Sequence, residues 1–119
     1  MTIDRSKERR QFIIPALMKD IRSTLAFKAV MLNISSKGMR VFSNDQRLLL
    51  TPEEVIKRKT FELDFDFFNI PMRGVHAQVV NMSPGMNKGF EKQFGLKFTN
   101  LDPKIGRQIE VFVQEYSKG

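Results

Sequence analysis

Cysteine and tryptophan are absent from these 119 residues, and histidine and tyrosine occur once each. Without cysteine there are no disulfides and no thiolate metal sites, and nothing points to an oxidising compartment. With a single histidine besides, thiol catalysis and histidine-cluster metal centres are excluded. No apolar run approaches the ~20 residues of a membrane span. Charges at Asp4, Arg5, Lys7 and Glu8, with no apolar stretch behind them, argue against a secretory signal. Glycine-rich phosphate loops, nucleophile elbows, helix-turn-helix patterns and zinc fingers are all missing. Internal repeats and low-complexity tracts are missing too. The expectation is a soluble, cytoplasmic, non-enzymatic chain of one domain, long enough for one modest core.

What is present is phenylalanine, eleven of them, and a formal net charge of +7. The charge favours anionic partners such as nucleotides, nucleic acid, acidic proteins or lipid headgroups. Most lysines and arginines are scattered, as on a solvated surface. The concentrated part is Arg5-Ser6-Lys7-Glu8-Arg9-Arg10, within a polar stretch over residues 1–11 that reads as a flexible arm.

Beyond the arm the pattern is one of short strands. Phe12 to Met18 is apolar enough for a strand, with Pro15 confining it to an edge or a bulge. Leu25 to Ile34 follows, with Phe27, Ala29 and Met31 on one face and Lys28, Val30 and Leu32 on the other. Met39 to Ser43 is a third strand. Phe61, Leu63, Phe65 and Phe67 alternate with Glu62, Asp64 and Asp66, the mark of a half-buried strand. The acidic residues face water there, a simpler reading than paired catalytic carboxylates. Arg73 to Met82, bounded by Pro71 and by Ser83-Pro84-Gly85, and Gln93 to Thr99 read as a hairpin. His76 lies in the first of these and reads as structural or merely exposed.

Two helix starts are marked by a cap followed by proline. Thr51-Pro52-Glu53-Glu54 predicts one or two turns, to about Lys57. Asp102-Pro103 predicts a longer helix, over about 102–117, with Ile105, Ile109, Phe112, Val113 and Tyr116 at helical spacing. Five or six short strands, no βαβ alternation and a terminal helix predict an all-β fold with an accessory helix, a small closed or nearly closed barrel over residues 12–119.

The candidate site is the turn Asn33-Ile34-Ser35-Ser36-Lys37-Gly38. Asn33 and Ser35 are two apart and share one face of an extended segment. Gly38 can take φ > 0 or let a ligand approach the backbone closely. Arginines of the arm offer planar forks that hold phosphate and stack on a purine. Together the arm and the turn fit an anionic nucleotide; a solvated tail beside an ordinary turn is the alternative.

The pattern Asn33-x-Ser35-x-x-Gly38, preceded by an arginine cluster, resembles the PilZ domain, whose motifs are RxxxR and (D/N)xSxxG. Gly95-Leu96-Lys97-Phe98-Thr99-Asn100-Leu101 is similar to that family's closing strand, and Gly74 to Val80 to the strand before it. The resemblance spans essentially the whole chain. It implies a six-stranded antiparallel β-barrel that is not an enzyme and has no cofactor, but binds the bacterial second messenger cyclic di-GMP. Arg5, Arg9 and Arg10 would clamp phosphates and stack on guanine, Asn33 and Ser35 would hydrogen-bond the ligand, and Gly38 would admit it. Ligand binding would pull the arm across the barrel and change what a downstream protein partner meets.

Two alignments of the arm are open. Matching Arg9-Arg10-Gln11-Phe12 to the family's arginine-arginine-x-aromatic pattern puts Ile14 where the second arginine of RxxxR belongs. Matching by spacing alone leaves Arg5-x-x-x-Arg9 intact. The first alignment carries the alternative of a degenerate PilZ adaptor that binds no nucleotide and acts through protein contacts. Nucleic acid is the least favoured partner, resting on the +7 charge alone.

Overall fold

The computed structural model describes residues 12–49, 51–84 and 92–118. Six strands run in chain order: β1 (Ile14–Asp20), β2 (Ala26–Ile34), β3 (Gly38–Ser43), β4 (Thr60–Phe67), β5 (Ile70–Pro84) and β6 (Lys92–Phe98). Between β3 and β4 lie two single helical turns, α1 (Gln46–Leu49) and α2 (Glu53–Ile56), and α3 (Pro103–Lys118) follows β6. The strands close into an antiparallel barrel in the order β1-β2-β3-β6-β5-β4, with β1 pairing β4 to complete the ring.

Alternation in the sequence becomes the inner and outer face of the barrel. Phe61, Leu63 and Phe67 of β4 are fully buried, as are Met18, Met31, Val41, Val79 and Phe94 from the other five strands. At roughly 25 cal/mol per Å2 of apolar surface removed from water, each such side chain contributes about 2–3 kcal/mol before chain entropy is counted. Helix α3 inserts Ile109, itself fully buried, with Phe112 and Val113 packed against the same core. The helix lies across the barrel end where β1 begins, β2 turns into β3, and β4 turns into β5. Asp102 caps it, its carboxylate accepting a 2.8 Å hydrogen bond from the Lys104 N–H.

Several boundaries move for identifiable reasons. Strand β1 starts at Ile14 and not at Phe12, because Ile13 sits at φ 54°, a left-handed conformation that ends an extended run. Strand β5 runs through Pro71, which the sequence had set as its outer limit. Pro71 pairs Asp66 of β4, while pairing to β6 begins only at Ala77, so its missing N–H leaves no ladder bond unmade. Pro15 and Pro84 follow the same rule. Pro15 pairs only Val30 of β2 and Pro84 only Lys92 of β6, each where the strand has one neighbour.

The turn from β4 into β5 is Phe67-Phe68-Asn69-Ile70, and Phe68 adopts φ 57°. A glycine would take that position without strain. The ring is held by stacking on Phe112, with centroids 4.6 Å apart. Thr51 does not cap α2: Pro52 occupies that position, and the Thr51 hydroxyl donates to the Arg47 carbonyl of the preceding turn. At the opposite end of the barrel Asp20, almost buried, accepts a 2.6 Å hydrogen bond from Lys59. Burial pushes its carboxyl up, but the Lys59 bond and charge, with the Arg22 amide, outweigh this and hold it below its usual range.

Candidate functional site

Two β-bulges decide which polar side chains reach the outer surface. In β2 the odd residues Phe27, Ala29 and Met31 point inward, as their alternation predicts. Met31 then pairs Val41 but Asn33 pairs Arg40, so Leu32 is an extra residue on its strand. The slip brings Leu32 and Ile34 into the core and turns Asn33 out. This corrects the expectation that Leu32 shares the outer face with Lys28 and Val30. A second bulge lies in β5, where Val79 pairs Leu96 but Asn81 pairs Gly95. Val80 is the extra residue there, and it and Asn81 are both exposed.

The registers line up a row across four strands: Asn33 of β2, Arg40 of β3, Gly95 of β6 and Asn81 of β5. The Asn81 amide lies flat on Gly95, where a Cβ would stand only 2.5–2.8 Å from its atoms. The Arg40 Nη2 donates to the Asn81 Oδ1 at 3.2 Å across that glycine. Along the row runs an open groove of about 730 Å3, within the ~300–1,000 Å3 of small-ligand sites. Asn33, Ser35 and Gly38 line one side of it, and Phe12 and Val113 of α3 stand at its rim. Its described lining carries three cations, Lys37, Arg40 and Lys97, and no carboxylate.

The turn is tightly made. The Ser35 N–H donates to the Gly38 carbonyl at 2.8 Å, and the Lys37 N–H to the Ser35 hydroxyl oxygen at 3.2 Å. The Ser36 N–H donates to the Glu110 carboxylate of α3 at 2.7 Å. Hydrogen bonds from Ser36, with the nearby Lys37 charge, hold the Glu110 carboxyl below the usual glutamate range. The Asn33 side chain has no hydrogen-bond partner among the described residues.

Gly38 has a structural reason that the sequence did not suggest. Its φ is not in the left-handed region, and a Cβ there would run into the Leu96 carbonyl oxygen. Strand β6 itself makes a close approach that needs a glycine.

Arg5, Arg9, Arg10 and the arm over residues 1–11 lie outside the described residues. Phe12, the residue they lead into, does not. Its N–H donates to the Leu32 carbonyl at 2.8 Å, beside the bulge that frees Asn33. Its ring packs on Phe67 and Tyr116, with centroids 5.1 and 4.8 Å away. Phe12, the first described residue, therefore lies both against the core and on the groove.

The acidic stripe of β4 binds its own sheet. Asp64 accepts from the Gly74 N–H at 2.8 Å, Asp66 pairs Arg73 at 2.7 Å, and Glu62 lies 3.9 Å from His76. Sequence reasoning missed Arg40, Asn81, Gly95, Lys37 and Lys97 as groove residues. Arg40 was findable, since it is two residues beyond Gly38 on a strand and must share its face. Asn81 was not, because an unmarked bulge sets its direction.

Among the described residues no group of three or more histidine, aspartate or glutamate side chains could hold a metal, and no helix is long and apolar enough to cross a membrane.

No curated protein matches the chain. Solved structures do. The chain is similar to the PilZ domain of YcgR from Escherichia coli, solved with c-di-GMP, at 16% identity and TM-score 0.62, covering 92% of both chains. A second structure of Escherichia coli YcgR in complex with c-di-GMP matches at 16% identity and TM-score 0.61, over 92% of this chain and 46% of that one. The PlzA protein of Borreliella burgdorferi, also in complex with c-di-GMP, matches at 10% identity and TM-score 0.62, over 94% of this chain and 54% of that one. The closed six-stranded barrel with its C-terminal helix is thus the architecture of PilZ structures. A PilZ domain model matches residues 3–115, and the chain belongs to the PilZ domain family.

Proposed function

We propose that this chain is a receptor for cyclic di-GMP, binding it in the groove beside the β2–β3 turn and relaying its presence to a protein partner. One observation carries the reading. Asn33, Ser35 and Gly38, picked out by a sequence pattern, line a single ligand-sized groove that is cationic on its described lining. A cyclic dinucleotide carries two phosphate charges, which such a lining attracts. The arm supplies the remaining contacts: Arg9 and Arg10 lie three and two residues before Phe12, within ~7–11 Å of chain at full extension. Arg5, seven residues before it, has up to ~25 Å. The chain acts by binding and not by catalysis, and its signal is the arm drawn over the groove against Phe12 and α3.

Isothermal titration with cyclic di-GMP tests this. Saturable binding that weakens at least tenfold in Asn33→Ala and in Arg9→Ala is expected. No heat at high micromolar ligand overturns it. Arg5→Ala decides between the two alignments of the arm, because only the spacing alignment uses that residue.

A second reading, an adaptor that binds no nucleotide, has an observation of its own. Ile14, which takes the second arginine's place in the other alignment, packs against the barrel core. That position then brings no cation to the groove. Under this reading Arg9→Ala with Arg10→Ala leaves function in cells intact.

A further inference from the structure

We propose that Arg40, seated by Asn81 on the glycine floor at Gly95, reads the Hoogsteen edge of one guanine and so sets base specificity. The inference rests on the cyclic di-GMP reading and adds to it a residue that neither sequence motif contains.

Arg40 is half-buried in the outer face of β3 and has no carboxylate partner among the described residues. Asn81 takes one of its five N–H donors, through Oδ1, leaving the rest of the fork for the groove. Gly95 makes this possible, since any side chain there would displace the Asn81 amide. The result is a flat, preorganised donor pair two residues along the strand from Gly38, roughly 7 Å. Lys37 and Lys97 mark the turn end of the groove, and Gly38 pairs Lys97. Phosphate belongs at that end, where two flexible point charges sit. A base belongs over the flat end, across the ribose from its phosphate.

The fork then chooses between purines. Guanine offers two acceptors, O6 and N7, to a bidentate arginine; adenine puts an amino donor where O6 would be. The donors of Arg40 match the first and repel the second. Asn81 is a positioning residue, holding the guanidinium flat so that both donors face one base edge.

The test titrates the full chain and its variants with cyclic di-GMP and with cyclic di-AMP. Arg40→Ala is expected to lose roughly tenfold or more in cyclic di-GMP affinity while cyclic di-AMP affinity is unchanged or rises, so that discrimination falls by at least that factor. Arg40→Lys should not restore it, because an ammonium has no fork. Asn81→Ala should lower discrimination by a smaller factor. Both side chains are outward-facing, and unchanged thermal unfolding checks that the barrel is intact. Equal weakening for both ligands makes Arg40 a phosphate contact and overturns the inference, as does unchanged discrimination in Arg40→Ala. In both cases the parent still binds cyclic di-GMP and the receptor reading stands. A parent that binds neither ligand overturns the receptor reading and the inference with it.

Discussion

The Glu110 carboxylate accepts a 2.7 Å hydrogen bond from the backbone N–H of Ser36, joining α3 to the turn of the candidate site. Beside it, a Cβ on Gly106 would stand 3.5 Å from the Ser36 Cβ, so the helix lies close against the turn. The turn and the helix are therefore one mechanical unit. Glu110→Gln keeps the shape and removes the charge. Because the pair is solvent-exposed, a loss of about 1 kcal/mol or less is expected. Amide hydrogen exchange at Ser36 should quicken up to about fivefold. The carboxyl titrates below its ordinary value of 4.5, so the tether is complete above that pH and is lost as pH falls through the lowered value. Exchange at Ser36 in the parent should approach that of Glu110→Gln in that acidic range.

Gly38→Ala tests what the glycine is for. If its role is the close packing of β3 on β6, alanine forces the Leu96 carbonyl away and costs about 1–3 kcal/mol of stability. Urea unfolding should show this with no ligand present. Undiminished stability would mean that the strand backbones separate easily, and would return Gly38 to a role in ligand approach.

Asp20→Asn removes an almost buried charge and its 2.6 Å bond to Lys59. Lys59 keeps some access to water, so a cost of about 1–2 kcal/mol is expected at neutral pH. The carboxyl of Asp20 lies below its ordinary 3.8 in the folded chain. Its contribution is full above that pH and vanishes as pH falls through the lowered value. Unfolding curves of parent and variant should therefore differ at pH 7 and converge in strong acid.

Phe12→Ala empties a half-buried ring position against Phe67, Phe68 and Tyr116. A loss of about 2–3 kcal/mol is expected, below the 3–5 typical of fully buried phenylalanine. Under the proposed function it also unpins the arm from the rim. Cyclic di-GMP affinity should then fall while the groove residues stay in place. Phe12→Leu should recover most of the stability.

The barrel was legible because burial writes itself as alternation, nowhere more clearly than in Phe61, Leu63, Phe65 and Phe67. Half of the candidate groove was legible because Asn33, Ser35 and Gly38 lie within one turn. The other half was not. Arg40, Gly95 and Asn81 meet only through the pairing of three strands, and no residue type announces the bulges at Leu32 and Val80. The β4–β5 turn was hidden for a related reason, since Phe68 holds a conformation that glycine or asparagine usually signals.

The prolines that sit where strands have one neighbour have a consequence for the protein in a crowded solution. A staggered barrel closes its middle but leaves single-sided overhangs at its ends, and an overhang can accept a strand from another chain. Pro15, Pro71 and Pro84 each remove a donor from such an overhang. Along β5 the gap between Pro71 and the start of pairing with β6 is filled by one side chain. Asn100 accepts from the His76 N–H at 2.7 Å and donates to the Gly74 carbonyl at 3.2 Å, standing in for the missing strand. At those overhangs three prolines and one asparagine side chain thus take up backbone positions that an added strand would need.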